Sequence, residues 1–175
     1  YVKQVLSDVK QAYPNYDASQ GYELAGFAWL QGWNDLVDGD AYPDHDKPGG
    51  FDSYSMLLSQ FVRDVRTDLA APTLPFVIGV MGVSGAQPKP NKMTYFREAM
   101  AAPALLPEFT GNVVNVFTEK FWDPRLEELV TRSFKVDRKR DELEKDTSLT
   151  AERRAAAVET FRAEIFTPEE LKLLM

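Results

Sequence analysis

The sequence predicts an α/β fold built on a parallel sheet. Three short apolar runs, at 24–30, 76–81 and 113–117, are bounded by polar or turn residues, as buried strands are. Segments with helical periodicity stand between these runs, so helix and strand alternate along the chain. Right-handed crossovers in such an alternation place helices on both faces of the sheet, which predicts three layers, α/β/α.

The elements of the first half follow in order. Apolar residues at helical spacing predict a helix over 2–13 that ends at Pro14. The run "LAGFAWL" at 24–30 is apolar enough for a strand covered on both faces, and a long loop rich in Asp, Gly and Pro is predicted at 35–51. A helix then begins near Asp52 or Ser53, either of which could cap it. Its apolar face consists of Tyr54, Leu57, Leu58, Phe61, Val62, Val65 and Leu69.

In the second half, a strand at 76–81 follows Pro72 and Pro75, a helix runs from near Met93 through Met100, and the third strand follows. From Phe121 the character changes. The stretch 135–146 is almost wholly charged, with alternating signs, which is typical of a solvated helix with pairs such as Asp141 with Lys145. A further helix is predicted from about Ala151 to Ile165. Residues 121–175 are therefore predicted to be a charged, helical extension or insertion of one domain spanning 1–175.

Sequence features at both ends of the chain predict that it is a piece of a longer protein. The chain begins at Tyr1 inside a helical pattern, and "TPEE" at 167–170 combines an N-cap Thr, a Pro at the first helical position and a capping-box Glu. Only five residues follow this helix start. The expected domain is consequently partial.

Composition excludes several classes of function. A formal net charge of −7 and a pI near 4.8 argue against nucleic-acid binding, which needs a basic face. The absence of cysteine excludes a Cys nucleophile and thiolate zinc sites within these residues. No stretch reaches the roughly 20 apolar residues that a membrane span needs.

Polar groups follow the first strand at the position where parallel sheets bind ligands, beyond the carboxyl end. Gly32 permits close approach or a positive φ, while the amides of Gln31 and Asn34 could donate hydrogen bonds to the developing oxyanion of an acyl transfer. The alternative is that Asn34 and Asp35 only cap the loop or a following turn.

The stretch "GFAWLQGWND" at 26–35 resembles a known family. "Gly-Trp-Asn-Asp" at 32–35 matches the G-x-N-D block of the SGNH hydrolases, and the longer stretch is similar to their sialate O-acetylesterase-like branch, whose strand ends in Trp-x-Gln-Gly. Downstream, "YSMLLSQFVRDVRTDL", "LPFVIGVMGVSG", "FREAM" and "GNVVNVF" resemble the family's following helices and strands. The resemblance covers about residues 1–123 and implies a flavodoxin-like parallel sheet.

The resemblance also implies a serine esterase without metal or organic cofactor. Its substrate would be an acylated carbohydrate, such as an O-acetylated sialic acid or plant polysaccharide sugar. In such an enzyme a Ser attacks the acyl carbonyl, a His acts as base, and an Asp orients the His. The Asn of the G-x-N-D block, here Asn34, donates to the oxyanion, and Gly32 shapes the turn. Gln31, Trp33 and Asp35 are expected to support the site or face the substrate.

The chain departs from the family pattern at two blocks. No Gly-Gln-Ser-Asn-like nucleophile block is present, since Gln20-Gly21 and Val83-Ser84-Gly85 are the nearest fragments. The Asp-x-x-His block is also absent, because the only histidine, His45, has Tyr42 three places before it. We expect His45 to be a loop histidine near the mouth of the cleft, and this chain alone to be inactive.

Three other patterns favour structural interpretations. The Asp-rich loop at 35–46 lacks the order of an EF-hand, so turn formation explains it better than calcium binding. Gly79, Gly82 and Gly85 fit no nucleotide motif. Trp29 is expected in the core, whereas Trp33 could either pack or stack on a sugar ring.

A second hypothesis for the function of the whole chain is a non-catalytic carbohydrate-binding or interaction module that kept the fold without a triad.

Overall fold

The chain divides into two compact units. The computed structural model describes residues 1–174; one unit is Tyr1–Lys120 and the other begins at Phe121. This division falls at the residue where the sequence changes from mixed to highly charged.

The first unit contains a three-stranded, fully parallel sheet. Its strands are β1 (Phe27–Trp29), β2 (Phe76–Val80) and β3 (Val113–Phe117), and they lie in that order. Phe76 is in register with Phe27 on one side and with Val113 on the other. The predicted α/β class and the parallel sheet are confirmed.

Two helices supply the crossovers and pack against each other. Helix α4 (Asp52–Asp68) joins β1 to β2, and α5 (Lys92–Ala101) joins β2 to β3. Asn91 caps α5 in a reciprocal capping box with Thr94. The predicted caps of α4 are wrong, because its N-cap is Phe51, which makes no side-chain capping bond. Together the helices bury one apolar face of the sheet, and the core between helices and sheet includes the fully enclosed side chains of Phe76, Ile78, Val80, Val62, Phe96 and Met100.

The opposite face of the sheet is partly exposed. Ala28 and Leu30 are exposed, so the prediction that 24–30 is covered on both faces is wrong. The physical reason is that successive side chains of a strand point to opposite faces, and α4 and α5 cover the face opposite to the one that bears Ala28. On β2 and β3, Val77 is 38% and Val114 49% exposed. Helices on both faces stay a prediction.

Two other predictions for the first half need correction. The helix expected over 2–13 is divided into α1 (Val2–Ser7) and α2 (Val9–Ala12), because Asp8 leaves the helical region with φ −145° and ψ 77°. The expected loop at 35–51 overlaps a one-turn helix, α3 (Trp33–Val37). Leu36 is buried in the main core and holds this turn in place.

The second unit consists of helices with a small core of their own. Its helices are α6 (Pro124–Glu144), α7 (Ala151–Ile165) and α8 (Pro168–Leu173), and they enclose Leu129, Val136, Val158 and Phe166. The bounds of α7 and the capping box that starts α8 agree with the sequence predictions. The charged stretch forms ion pairs at i,i+3, Asp137 with Arg140 and Lys139 with Glu142, rather than the expected Asp141 with Lys145. Among residues 1–174, no helix combines the length and apolar character that a membrane crossing requires.

A buried arginine ties the amino-terminal ends of β2 and β3 together. Arg66 Nε and Nη2 donate to the carbonyl of Leu74, at 3.2 and 2.9 Å, and Nη2 also donates to Asn112 Oδ1 at 2.7 Å. Its guanidinium carbon lies 5.2 Å from the ring centroid of Phe109. Burial lowers the pKa of Arg66. This one side chain therefore satisfies acceptors from the two segments that lead into the strands.

We expect Arg66→Met to lower the free energy of unfolding by about 2 to 4 kcal/mol, because it leaves two partly buried acceptors without a donor. Urea denaturation measures the change. Arg63→Met on the same helix is the matched control: Arg63 is only partly buried and pairs with the exposed Glu108, so this substitution should lower the free energy of unfolding far less. Equal losses in the two variants would contradict the structural role of Arg66.

Candidate functional site

An open cleft of about 630 Å³ lies beyond the carboxyl ends of the strands. This is the edge where parallel α/β sheets bind ligands. Its lining consists of residues at or just beyond the ends of all three strands and of Met100 from α5: Leu30, Gln31, Gly32, Trp33, Asn34, Gly79, Met81, Gly82, Val83, Met100 and Thr118. Four of the six residues predicted for the site, Gln31, Gly32, Trp33 and Asn34, are therefore brought together here.

The side chain of Asn34 lies at this cleft with its amide group free of hydrogen bonds to the described residues. It occupies the second position of α3, is exposed, and its side chain has no hydrogen-bond partner among residues 1–174. The alternative that Asn34 merely caps a turn is therefore wrong, since the N-cap of α3 is Gly32 and no side chain caps it. The amide is free to donate to a ligand.

Gly32 is required by packing. Its φ of 162° is extended backbone, so the suggestion of a positive φ is wrong. A Cβ at this position would lie 2.9 Å from Cε1 and Cζ of Phe96, whose ring is fully buried. The close approach that the sequence suggested is thus an approach to the core. It places the backbone of Gly32 directly against Phe96 of α5.

Asp35 holds its neighbours in place. Its carboxylate accepts from the Tyr42 hydroxyl at 2.9 Å and from Gln31 Nε2 at 3.0 Å. The amide of Gln31 is therefore already engaged, and the supporting role expected for Asp35 has a concrete geometry. Neither Asp35 nor Tyr42 lines the cleft.

A second chain of hydrogen bonds fixes the backbone at the end of β1. Trp29 Nε1 donates to the Tyr54 hydroxyl at 3.2 Å, and that hydroxyl donates to the carbonyl of Gln31 at 3.0 Å. Trp29 packs on Phe61 with ring centroids 4.6 Å apart, which places it against the core as expected. Trp33, by contrast, is 52% exposed and lines the cleft, where its ring is accessible to a ligand.

Both phenols of this network resist ionisation. Burial raises the pKa of Tyr54 to about 12, and the nearby negative charge of Asp35 adds to the shift. Burial also raises the pKa of Tyr42, further supported by its hydrogen bond to Asp35. At neutral pH both groups are therefore hydrogen-bond donors that hold the segment 31–35 in place.

His45 lies outside the lining of the cleft. Its Nδ1 is 2.7 Å from the carbonyl of Tyr42, and its Nε2 is 3.5 Å from Asp46 Oδ2. It stabilises the turn that carries Tyr42, as a loop histidine does. In the same loop, Asp38 Oδ1 accepts from the backbone N–H groups of Asp40 and Ala41, and no three metal-ligating side chains converge anywhere within residues 1–174.

The second wall of the cleft is formed by the end of β2 and the loop after it, and the glycines there are also explained by packing. A Cβ on Gly79 would lie 2.3 Å from Leu30 Cδ2, and one on Gly82 would lie 2.5 Å from the backbone of Thr118. The Thr118 hydroxyl donates to the carbonyl of Val80 at 2.7 Å, so it is already engaged. These contacts draw the ends of the three strands together.

Sequence reasoning missed two groups of residues. Met81, Gly82, Val83 and Thr118 complete the cleft, and the rule that ligands bind beyond the ends of parallel strands could have identified them. Tyr42 and Tyr54 hold the predicted segment, but no spacing in the sequence relates them to Asp35 and Gln31. Their role depends on tertiary contacts alone.

No protein-family model, curated protein or solved structure matches the chain. Membership of the chain in the SGNH hydrolase family therefore stays a prediction.

We expect Gly32→Ala to destabilise the chain by about 1 to 3 kcal/mol, because the added methyl group meets a buried ring that has no room to move. Chemical denaturation measures this loss. Gly39→Ala is the control, since its Cβ would make only an ordinary contact, 3.5 Å from His45 Cε1. A Gly32→Ala variant as stable as Gly39→Ala would show that the Phe96 contact is not tight.

The raised pKa of Tyr54 predicts a loss of stability at alkaline pH. The folded state keeps this proton up to about pH 12, whereas the unfolded state loses it near pH 10. Stability from this group is thus fully present below pH 10 and declines as pH rises from 10 to 12. Phenolate absorbance should show two late steps, one from Tyr54 and one from Tyr42, and Tyr54→Phe should remove the Tyr54 step, which urea shifts to the ordinary pKa. A Tyr54→Phe variant that keeps both late steps would contradict this assignment.

Proposed function

We propose that this chain is part of a serine esterase that hydrolyses O-acyl, in particular O-acetyl, esters on carbohydrates such as sialic acid or plant polysaccharide sugars. One observation carries the proposal: the free Asn34 amide lies in a cleft at the carboxyl edge of a parallel sheet. The G-x-N-D match at residues 32–35 assigns an oxyanion donor to the same position.

Asn34 would act on the oxygen that becomes negative. When a nucleophile attacks the acyl carbonyl, charge develops on that oxygen, and an amide N–H donor stabilises it more than it stabilises the ground state. Such a donor contributes about 3 to 4 kcal/mol of transition-state stabilisation. The backbone bearing Asn34 is held by buried Leu36 and by the close contact of Gly32 with Phe96.

The rest of the lining suits an acetylated sugar. Leu30, Met81 and Met100 provide apolar contacts for the methyl of an acetyl group, and the exposed ring of Trp33 offers a stacking surface for a pyranose. Gln31 keeps its amide oxygen available as an acceptor for a sugar hydroxyl while its Nε2 donates to Asp35.

The nucleophile and its base would come from residues other than those that line this cleft. The serine Oγ forms a bond to the acyl carbon, the ester bond to the sugar oxygen breaks, and the histidine passes the serine proton to that oxygen. Water then cleaves the acyl-serine and releases the carboxylic acid. No metal or organic cofactor takes part in this scheme.

We also infer the flavodoxin-like, three-layer arrangement of the SGNH fold for the complete domain. Parallel sheets bury both faces, and the second face of this sheet carries partly exposed apolar side chains such as Val77 and Val114. These side chains are a suitable surface for further helices.

The second candidate is a non-catalytic carbohydrate-binding module with the same cleft. The observation that favours it is the lining itself, which contains no serine and no histidine, and whose one hydroxyl, on Thr118, is bonded to the Val80 carbonyl. This chain alone would then bind acetylated sugars without turnover.

In the complete enzyme, Asn34→Ala should lower kcat by about 10²- to 10³-fold with little change in KM, because the donor acts mainly in the transition state. Hydrolysis of p-nitrophenyl acetate measures this effect. Asn15→Ala, at an exposed loop position, is the matched control and should retain full activity.

Two outcomes would contradict this assignment. A kcat close to that of the unaltered enzyme in Asn34→Ala would exclude the oxyanion role. The chain of residues 1–175 by itself should hydrolyse the ester at the background rate, so robust turnover that depends on a serine within it would also overturn the proposed division of the site.

A further inference from the structure

The loop that forms the second wall of the cleft contains a strained residue. Ser84 has φ +64°, in the left-handed region that is unfavourable for residues other than glycine. Among residues 1–174, only Ala70, with φ 51°, shares this feature. Holding a residue other than glycine there costs about 1 kcal/mol or more, which glycine would avoid.

The strain persists because Arg97 over-determines the loop. Its Nε donates to the carbonyl of Met81 at 2.7 Å, Nη1 to that of Gly85 at 2.8 Å and Nη2 to that of Val83 at 2.8 Å. Arg97 is itself buried on α5. The residues before and after Ser84 are therefore anchored to a helix of the core, and the turn between them has little freedom.

The hydroxyl of Ser84 has no role in holding this structure. Ser84 is exposed, and its Oγ has no hydrogen-bond partner among the residues that the structure describes; only its backbone carbonyl is engaged, by Gln87 Nε2 at 2.8 Å. Glycine would thus satisfy every contact of this position and relieve its strain. The side chain costs stability without serving the fold, which points to a ligand.

Its position next to the cleft indicates which ligand. Gly82 and Val83, immediately before Ser84, line the cleft together with Asn34 and Trp33. A serine hydroxyl both donates and accepts, as the hydroxyl groups of a sugar do. An exposed hydroxyl on a rigid turn therefore offers a hydrogen-bonding partner with little entropy to lose on binding.

We propose that Ser84 is a substrate-contacting residue, whose hydroxyl binds a hydroxyl group of the acylated sugar across the cleft from Asn34. This inference rests on the proposed function and adds to it a second wall that recognises the carbohydrate. Ser84 takes no part in the acyl transfer, so its contribution appears in substrate affinity.

The test compares Ser84→Gly and Ser84→Ala with the unaltered chain. Isothermal calorimetry measures binding of two probes, the methyl glycosides of an O-acetylated N-acetylneuraminic acid and of an O-acetylated xylose. Both variants should bind the preferred probe about three- to tenfold more weakly, the loss expected for one neutral hydrogen bond. Ser84→Gly should also unfold at a higher urea concentration, because it removes the strain while Ser84→Ala keeps it.

Ala70→Gly is the matched control. It relieves the same kind of backbone strain at a position that neither lines the cleft nor adjoins a lining residue in the sequence, so it should raise stability and leave affinity unchanged. Unaltered affinity in both Ser84 variants, while the starting chain binds a probe, would overturn this inference alone. Failure of the starting chain to bind either probe would overturn the proposed function as well, which separates the two failures. An affinity loss in Ala70→Gly equal to that in Ser84→Gly would show that strain relief, rather than the hydroxyl, changes binding.

Discussion

Two buried guanidinium groups hold the central strand at its two ends, and the rest of the first unit depends on them. Arg66 of α4 satisfies acceptors ahead of β2 and β3, and Arg97 of α5 satisfies three carbonyls in the loop after β2. Burial lowers the pKa of both groups, since each donates mainly to neutral oxygens rather than to a carboxylate. Arginine suits this task because its planar guanidinium has five N–H donors. One arginine can therefore satisfy several backbone carbonyls that lie beyond the end of a strand and have no partner in the sheet.

The two walls of the cleft are fixed by neighbouring residues of one helix. Phe96 packs directly against Gly32 and so supports the segment that bears Asn34, while Arg97 anchors the loop that bears Ser84. Consecutive helical residues point in different directions, so α5 reaches both walls at once. Because α5 is itself part of the core, the separation of the walls is set by packing density and not by loop flexibility.

The sequence predicted the parts of this molecule that depend on local pattern. Apolar runs bounded by prolines and glycines located β2 and β3 closely, and capping chemistry located the start of α8, because these features act within a few residues. The covering of β1 on both faces and the positive φ suggested for Gly32 were wrong, since each depends on what lies across the sheet or beneath the backbone. Likewise, the segment 31–35 was identified from its place after a strand. The tyrosines that fix it are distant in the sequence: Tyr42 lies 7 residues after its partner Asp35, and Tyr54 lies 23 residues after its partner Gln31.

In the proposed enzyme, the oxyanion donor Asn34 and the sugar-binding hydroxyl of Ser84 lie on different walls of the cleft. The amide suited to an oxyanion stands on the wall seated on Phe96, and the hydroxyl suited to a sugar stands on the wall anchored by Arg97. The first wall carries no residue in the left-handed region, so its precision comes from tight packing and from neutral phenols that donate hydrogen bonds. The second wall contains the strained turn, where stability is given up for an exposed group that the fold does not use. Since the anchors differ, substitutions on the second wall of the proposed enzyme would change which acylated sugar binds while the oxyanion donor keeps its place, and the same scaffold would then serve different carbohydrates with the same chemistry.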